Sequence, residues 1–104
     1  MTKKSARLYS LVGNLIRSSR LQEGISQDKL ARAINLTRSS VTNIEKGRQK
    51  ILLDTLWQIA GILKKPIMNF IPPPEEVNMS LVEQLPDNTP TGVKTFINEL
   101  VDSA

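Results

Sequence analysis

The stretch that decides the fold is Gln27-Asp28-Lys29-Leu30-Ala31-Arg32-Ala33-Ile34-Asn35-Leu36-Thr37-Arg38-Ser39-Ser40-Val41-Thr42-Asn43-Ile44-Glu45-Lys46-Gly47. It reads as two short helices joined by a turn of about three or four residues. Ser26 is placed to cap the first, and Asp28 lies in its first turn, where the helix dipole favours negative charge. Leu30, Ala31 and Ile34 form an inner face. Asn35 tolerates the left-handed conformation that a tight turn needs. Thr37 is placed to cap the second helix, Val41 and Ile44 face inward, and Gly47 ends it.

Four of these residues satisfy a steric requirement together. Ala31 supplies a small side chain where the second helix crosses the first, and Asn35 accepts the turn. Val41 and Ile44 provide branched apolar contacts. They stand 4, 10 and 13 positions after Ala31 in the case of Asn35, Val41 and Ile44, as a helix-turn-helix requires.

Working outward, Leu8, Leu11, Val12, Leu15 and Ile16 share one helical face, with Ser5 as the expected cap and Gly24 as the stop. After Gly47 a fourth helix carries Leu53, Leu56, Trp57, Ile59, Ala60 and Leu63. Beyond Pro66, the residues Ile67, Phe70 and Ile71 read as a short fifth helix. Pro72-Pro73-Pro74 predicts a stiff extended spacer. From Thr91 a last helix is expected, with Val93, Phe96, Ile97, Leu100 and Val101 on one face. The expected organisation is a helical domain over 1–71, a Pro-rich acidic linker over 72–90 and an amphipathic helix over 91–104.

With 104 residues the chain suits one small domain plus an extension. It contains no cysteine and no histidine. That excludes disulfides, thiolate or histidine metal sites, and catalysis by Ser-His-Asp or Cys-His groups. No cofactor or metal is expected, and an enzyme is not. The polar start reads as no signal peptide, and no apolar run is long enough for a membrane span, so a cytoplasmic protein is expected. Charge is uneven. Residues 1–71 hold 13 Lys and Arg against four acids, a net +9, while residues 72–104 carry a net −5. A basic front of this kind fits a polyanionic partner, and equally an ordinary solvated surface balanced by the tail.

The chain resembles the Cro and lambda-repressor type (XRE-like) of helix-turn-helix DNA-binding domains over roughly residues 8–71. The residues that carry the resemblance are Arg20, Ser26 to Ala31, Asn35-Leu36-Thr37, Ser40 to Arg48, and Leu56 with Ile59-Ala60 and Leu63. It implies an all-α, five-helix domain whose third helix enters the DNA major groove. Two positions depart from the family pattern: Asn35 stands where glycine is frequent, and Ile51-Leu52 where Pro-Ser is frequent. The second change removes the usual cap of the fourth helix and adds two apolar residues free to pack on a partner.

In that setting the outward residues Arg38, Ser39, Thr42 and Asn43 are the candidates for reading bases. Arg38 can donate twice to guanine, Asn43 can pair with adenine, and the two hydroxyls can reach base edges. The alternative for this set is a polar, solvated helix face. Gln27 is implied to bind a phosphate and to brace the reading residues. Arg17, Lys46, Arg48, Gln49 and Lys50 are candidate phosphate contacts. Arg20 and Glu45 are implied to form an internal ion pair. Trp57 is expected in the core or an interface.

The expected function is a sequence-specific regulator of transcription, a repressor acting as a homodimer on palindromic double-stranded DNA. The alternatives are an antitoxin or other protein-binding regulator, or a restriction-modification controller protein. The stripe Val93, Phe96, Ile97, Leu100 and Val101 is expected to form the dimer contact; packing back on the domain or engaging another protein partner are the other possibilities.

Overall fold

The computed structural model describes residues 1–83, with the side chains of 79–83 excepted. Among the described residues every regular element is a helix. Met1–Pro72 forms one compact unit. It holds α1 (Lys3–Gln22), α2 (Gln27–Ala33), α3 (Arg38–Glu45), α4 (Leu53–Ile62) and a 3-10 turn at Ile67–Phe70. A second unit begins at Pro73 and contains α5 (Pro74–Glu83).

The first three helices start the same way. Thr2, Ser26 and Thr37 each adopt an extended conformation and accept a hydrogen bond from the backbone N–H three residues on, at Ser5, Lys29 and Ser40. The cap of α1 is therefore Thr2 and not Ser5, whose own amide is the group being capped. α4 is preceded by Leu52, which has the extended backbone of a cap but no side chain able to accept.

The four helices of the first unit, α1 to α4, end in one closure. At α3, for instance, the Gly47 amide donates to the Ile44 carbonyl and the Arg48 amide to that of Asn43. The same double bond pattern closes α1 around Gly24, α2 around Asn35 and α4 around Lys64. The closure needs a left-handed residue, and these four have φ of 68°, 58°, 71° and 58° for Gly24, Asn35, Gly47 and Lys64.

The core gathers Val12, Ile16, Leu30, Ala31, Ile34, Val41, Ile44, Leu56, Ile59, Ala60, Leu63 and Phe70. Burying each large aliphatic side chain contributes about 1.5–3 kcal/mol as an upper estimate. Gly13 allows α3 to seat on α1. A Cβ there would lie 2.3 Å from the Ile44 carbonyl oxygen.

Three expectations need correcting. Leu53, expected on the inner face of α4, is 70% exposed, and Trp57, also 70% exposed, is outside the core, which leaves the interface half of its expectation; Leu56, Ile59, Ala60 and Leu63 fill the buried face of α4. The fifth element is a single 3-10 turn anchored by Phe70, and Ile71 lies beyond it, exposed. Pro74 does not belong to an extended spacer: it opens α5, with Glu75 and Glu76 in the first turn. Proline is suited to a first helical position, where no N–H is required, and the acids suit the positive end of the dipole. The stretch 84–90 and the expected helix over 91–104 lie outside the described residues.

Candidate nucleic-acid interface

α3 has two faces. Val41 and Ile44 point into the core and are almost fully buried. Arg38, Ser39, Thr42 and Asn43, spaced to share the opposite face, together line one open depression. Arg38 and Ser39 are exposed; Thr42 and Asn43 are half-buried. Among the described residues no carboxylate pairs with Arg38. A second depression is lined by Arg38 with Arg20, Ser26, Gln27 and Asp28.

The orientation of this face is held by a bonded chain that crosses three helices. Arg20, on α1, donates from Nε to Glu45 Oε2 at 2.7 Å and from Nη2 to Oε1 at 3.1 Å. Its Nη1 donates to the Ile25 carbonyl at 2.8 Å. Side-chain exposure is 8% for Arg20 and 2% for Glu45, so this is a buried, bidentate pair. Gln27, at the start of α2, then donates from Nε2 to Glu45 Oε1 at 3.0 Å. Its Oε1 accepts from the Thr42 hydroxyl at 3.1 Å. The carboxylate only accepts, so it fixes which end of the Gln27 amide faces which neighbour.

The amide of Gln27 thus braces Thr42 directly, and one Nε2 proton is left over. Arg17, Lys46, Arg48 and Lys50 are exposed and Gln49 is half-buried. Val93, Phe96, Ile97, Leu100 and Val101 lie outside the described residues. Sequence reasoning passed over Gly13, which sits on α1 against the backbone carbonyls at the end of α3. Its only signal was a glycine on the apolar side of a helix. Leu52, expected to be free for a partner, stands with Leu53 and Trp57 around the start of α4, all about 70% exposed; nothing in the sequence marked Leu53 as one of them.

Together, the buried brace and the open polar face define a helix-turn-helix protein whose second motif helix is rigidly presented outward. The helix-turn-helix family HTH_3 matches residues 16–68. The chain belongs to this helix-turn-helix family, the XRE type. It is 29% identical over 76 residues to the HTH-type transcriptional regulator SutR of Escherichia coli K12, covering 73% of this chain and 43% of that protein. The chain therefore spans less than half the length of that regulator. Among solved structures it is similar to the restriction-modification controller protein C.AhdI from Aeromonas hydrophila, at 27% identity and a TM-score of 0.58, over 61% of this chain and 96% of the other. It is also similar to the hypothetical transcription factor NHTF from Neisseria, at 30% identity and a TM-score of 0.60, over 71% and 84%. Among the described residues no helix is long and apolar enough to cross a membrane.

Proposed function

We propose that this chain is a sequence-specific, non-enzymatic repressor that binds a palindromic operator as a homodimer in the cytoplasm. The observation that carries this reading is the convergence of Arg38, Ser39, Thr42 and Asn43 on one open face of a helix locked from behind. A helix placed in the major groove offers its first turn to base edges. Arg38 takes guanine O6 and N7, Asn43 takes adenine N6 and N7, and the hydroxyls contact neighbouring bases. Gln27, Arg17, Lys46, Arg48, Gln49 and Lys50 hold phosphates, which fixes register without reading sequence. Arg20 and Glu45 stay internal. One such helix contacts too few base pairs for operator specificity, so two copies read half-sites about 34 Å apart. The dimer contact is assigned to Val93, Phe96, Ile97, Leu100 and Val101.

The test is selection of bound sequences from random duplex DNA. Enrichment of a palindrome supports both base reading and the dimer, and a pool that stays random refutes the reading. The likeness to C.AhdI, which extends over almost all of that chain, favours a second role: control of restriction-modification genes. The genomic position of the enriched operator separates this role from regulation of other genes.

A further inference from the structure

Thr42 is held in a way that decides what it can read. Its Oγ lies 3.1 Å from Gln27 Oε1 and 3.0 Å from the Arg38 carbonyl oxygen. Both of these oxygens can only accept. The Gln27 oxygen faces Thr42 because its Nε2 is taken by Glu45, and Glu45 is in turn gripped by two nitrogens of Arg20. The chain is therefore polarised along its whole length, from a residue that only donates to one that has given its proton away. A hydroxyl has one proton and two lone pairs. Whichever of the two oxygens takes the Thr42 proton, the proton stays inside the protein and only lone pairs face outward.

We infer that Thr42 is a specificity-determining residue that accepts a hydrogen bond from an exocyclic amino group, so the base beneath it is adenine or cytosine. In the major groove only adenine N6 and cytosine N4 present such donors; guanine and thymine present acceptors at those edges. Ser39 makes the contrast. Its hydroxyl has no partner among the described residues, so it can turn either way and carries no such restriction. The inference rests on the reading of α3 as the base-reading helix and adds a rule for one position within it.

The experiment begins with the half-site enriched from random duplex DNA. Each adenine is replaced in turn by purine, and each cytosine by pyrimidin-2-one, so that single amino groups are deleted. Affinity is then measured for the full chain and for Thr42→Val and Thr42→Ser. At one position per half-site, deleting the amine should weaken binding by the full chain about twofold to tenfold, the span of one neutral hydrogen bond. Thr42→Val should be indifferent to the same deletion, while Thr42→Ser should still respond. If the position coupled to Thr42 carries guanine or thymine, the hydroxyl donates and the inference is overturned. A selected half-site with no amine coupled to Thr42 overturns it as well. If no sequence is enriched at all, the failure lies one step earlier, in the reading of α3, and the inference falls with it. Far-UV circular dichroism confirms that each variant is folded, and the analogue scan on the unaltered chain locates the amine independently of any variant.

Discussion

Two glycine-to-alanine changes should move stability in opposite directions. In an open helix position the change is favourable by up to about 1 kcal/mol, because glycine loses more conformational freedom on folding. Gly61, in α4, has nothing within 4 Å of where a Cβ would stand, so Gly61→Ala should gain that amount at most. Gly13 is different. Its added Cβ would lie 2.3 Å from the Ile44 oxygen, 2.6 Å from the Glu45 oxygen and 2.8 Å from the Glu45 carbonyl carbon. Relieving the shortest contact to an ordinary separation near 3.5 Å moves α1 and the end of α3 apart by about 1 Å. All three atoms are backbone and none can swing aside. The overpacking cost therefore falls at the upper end of its usual range, about 3 kcal/mol. After the helix-propensity gain, a net loss of about 2 kcal/mol remains. For a domain of this size that lowers Tm by about 8–16 °C. The assay is thermal unfolding followed by far-UV circular dichroism on the parent, Gly13→Ala and Gly61→Ala. A Gly13→Ala protein as stable as the parent would refute the close seating of α3 on α1.

Arg20→Ala should cost about 3–5 kcal/mol, because it strands the buried Glu45 carboxylate, and urea denaturation reads the loss directly. An unchanged midpoint would make Arg20 an ordinary surface residue. Leu52→Ser should add about 1 kcal/mol, since the backbone at 52 already has the extended geometry of a cap and lacks only the acceptor; a lower Tm would mean that Leu52 is worth more as an apolar contact. Phe96→Asp combined with Leu100→Asp should convert the proposed dimer to a monomer in sedimentation and weaken operator binding, with the helical content of 1–71 unchanged. A double variant that sediments as a dimer places the dimer contact elsewhere.

Much of the motif was legible because its signals are local. Ser26 and Thr37 are short hydroxyl side chains next to a periodic apolar run, and Gly24, Asn35 and Gly47 are residue types that accept positive φ. Lys64 closes α4 in the same way but gave no sign of it, since nothing in a lysine side chain favours the left-handed region. Thr2 was passed over because Ser5 stands closer to the first apolar residue. The seat at Gly13 is a long-range fact. Its contacts are the carbonyls of Ile44 and Glu45, and carbonyls leave no trace in residue type. The pairing of Arg20 with Glu45 came through family resemblance, as a separation of 25 positions gives no periodic hint. Trp57 lies outside the core, one of the two places expected for it, for a geometric reason. It stands one residue after Leu56, about 100° round the helix, and the buried stripe runs through 56, 59, 60 and 63. Pro74 was misread because a proline that breaks a helix interior is also well suited to open one.

In the proposed function α3 reads bases while its flanking cations hold the backbone. The most direct measurement compares Arg38→Ala and Lys46→Ala on the selected operator and on random duplex, each over a range of salt. Arg38→Ala should lose about 1–3 kcal/mol on the operator and little on random duplex, with preference relaxed at one base position per half-site. Lys46→Ala should weaken both duplexes alike and reduce the salt slope by about one. Equal losses on both duplexes for the two variants would contradict the account, since α3 would then be touching DNA without reading it.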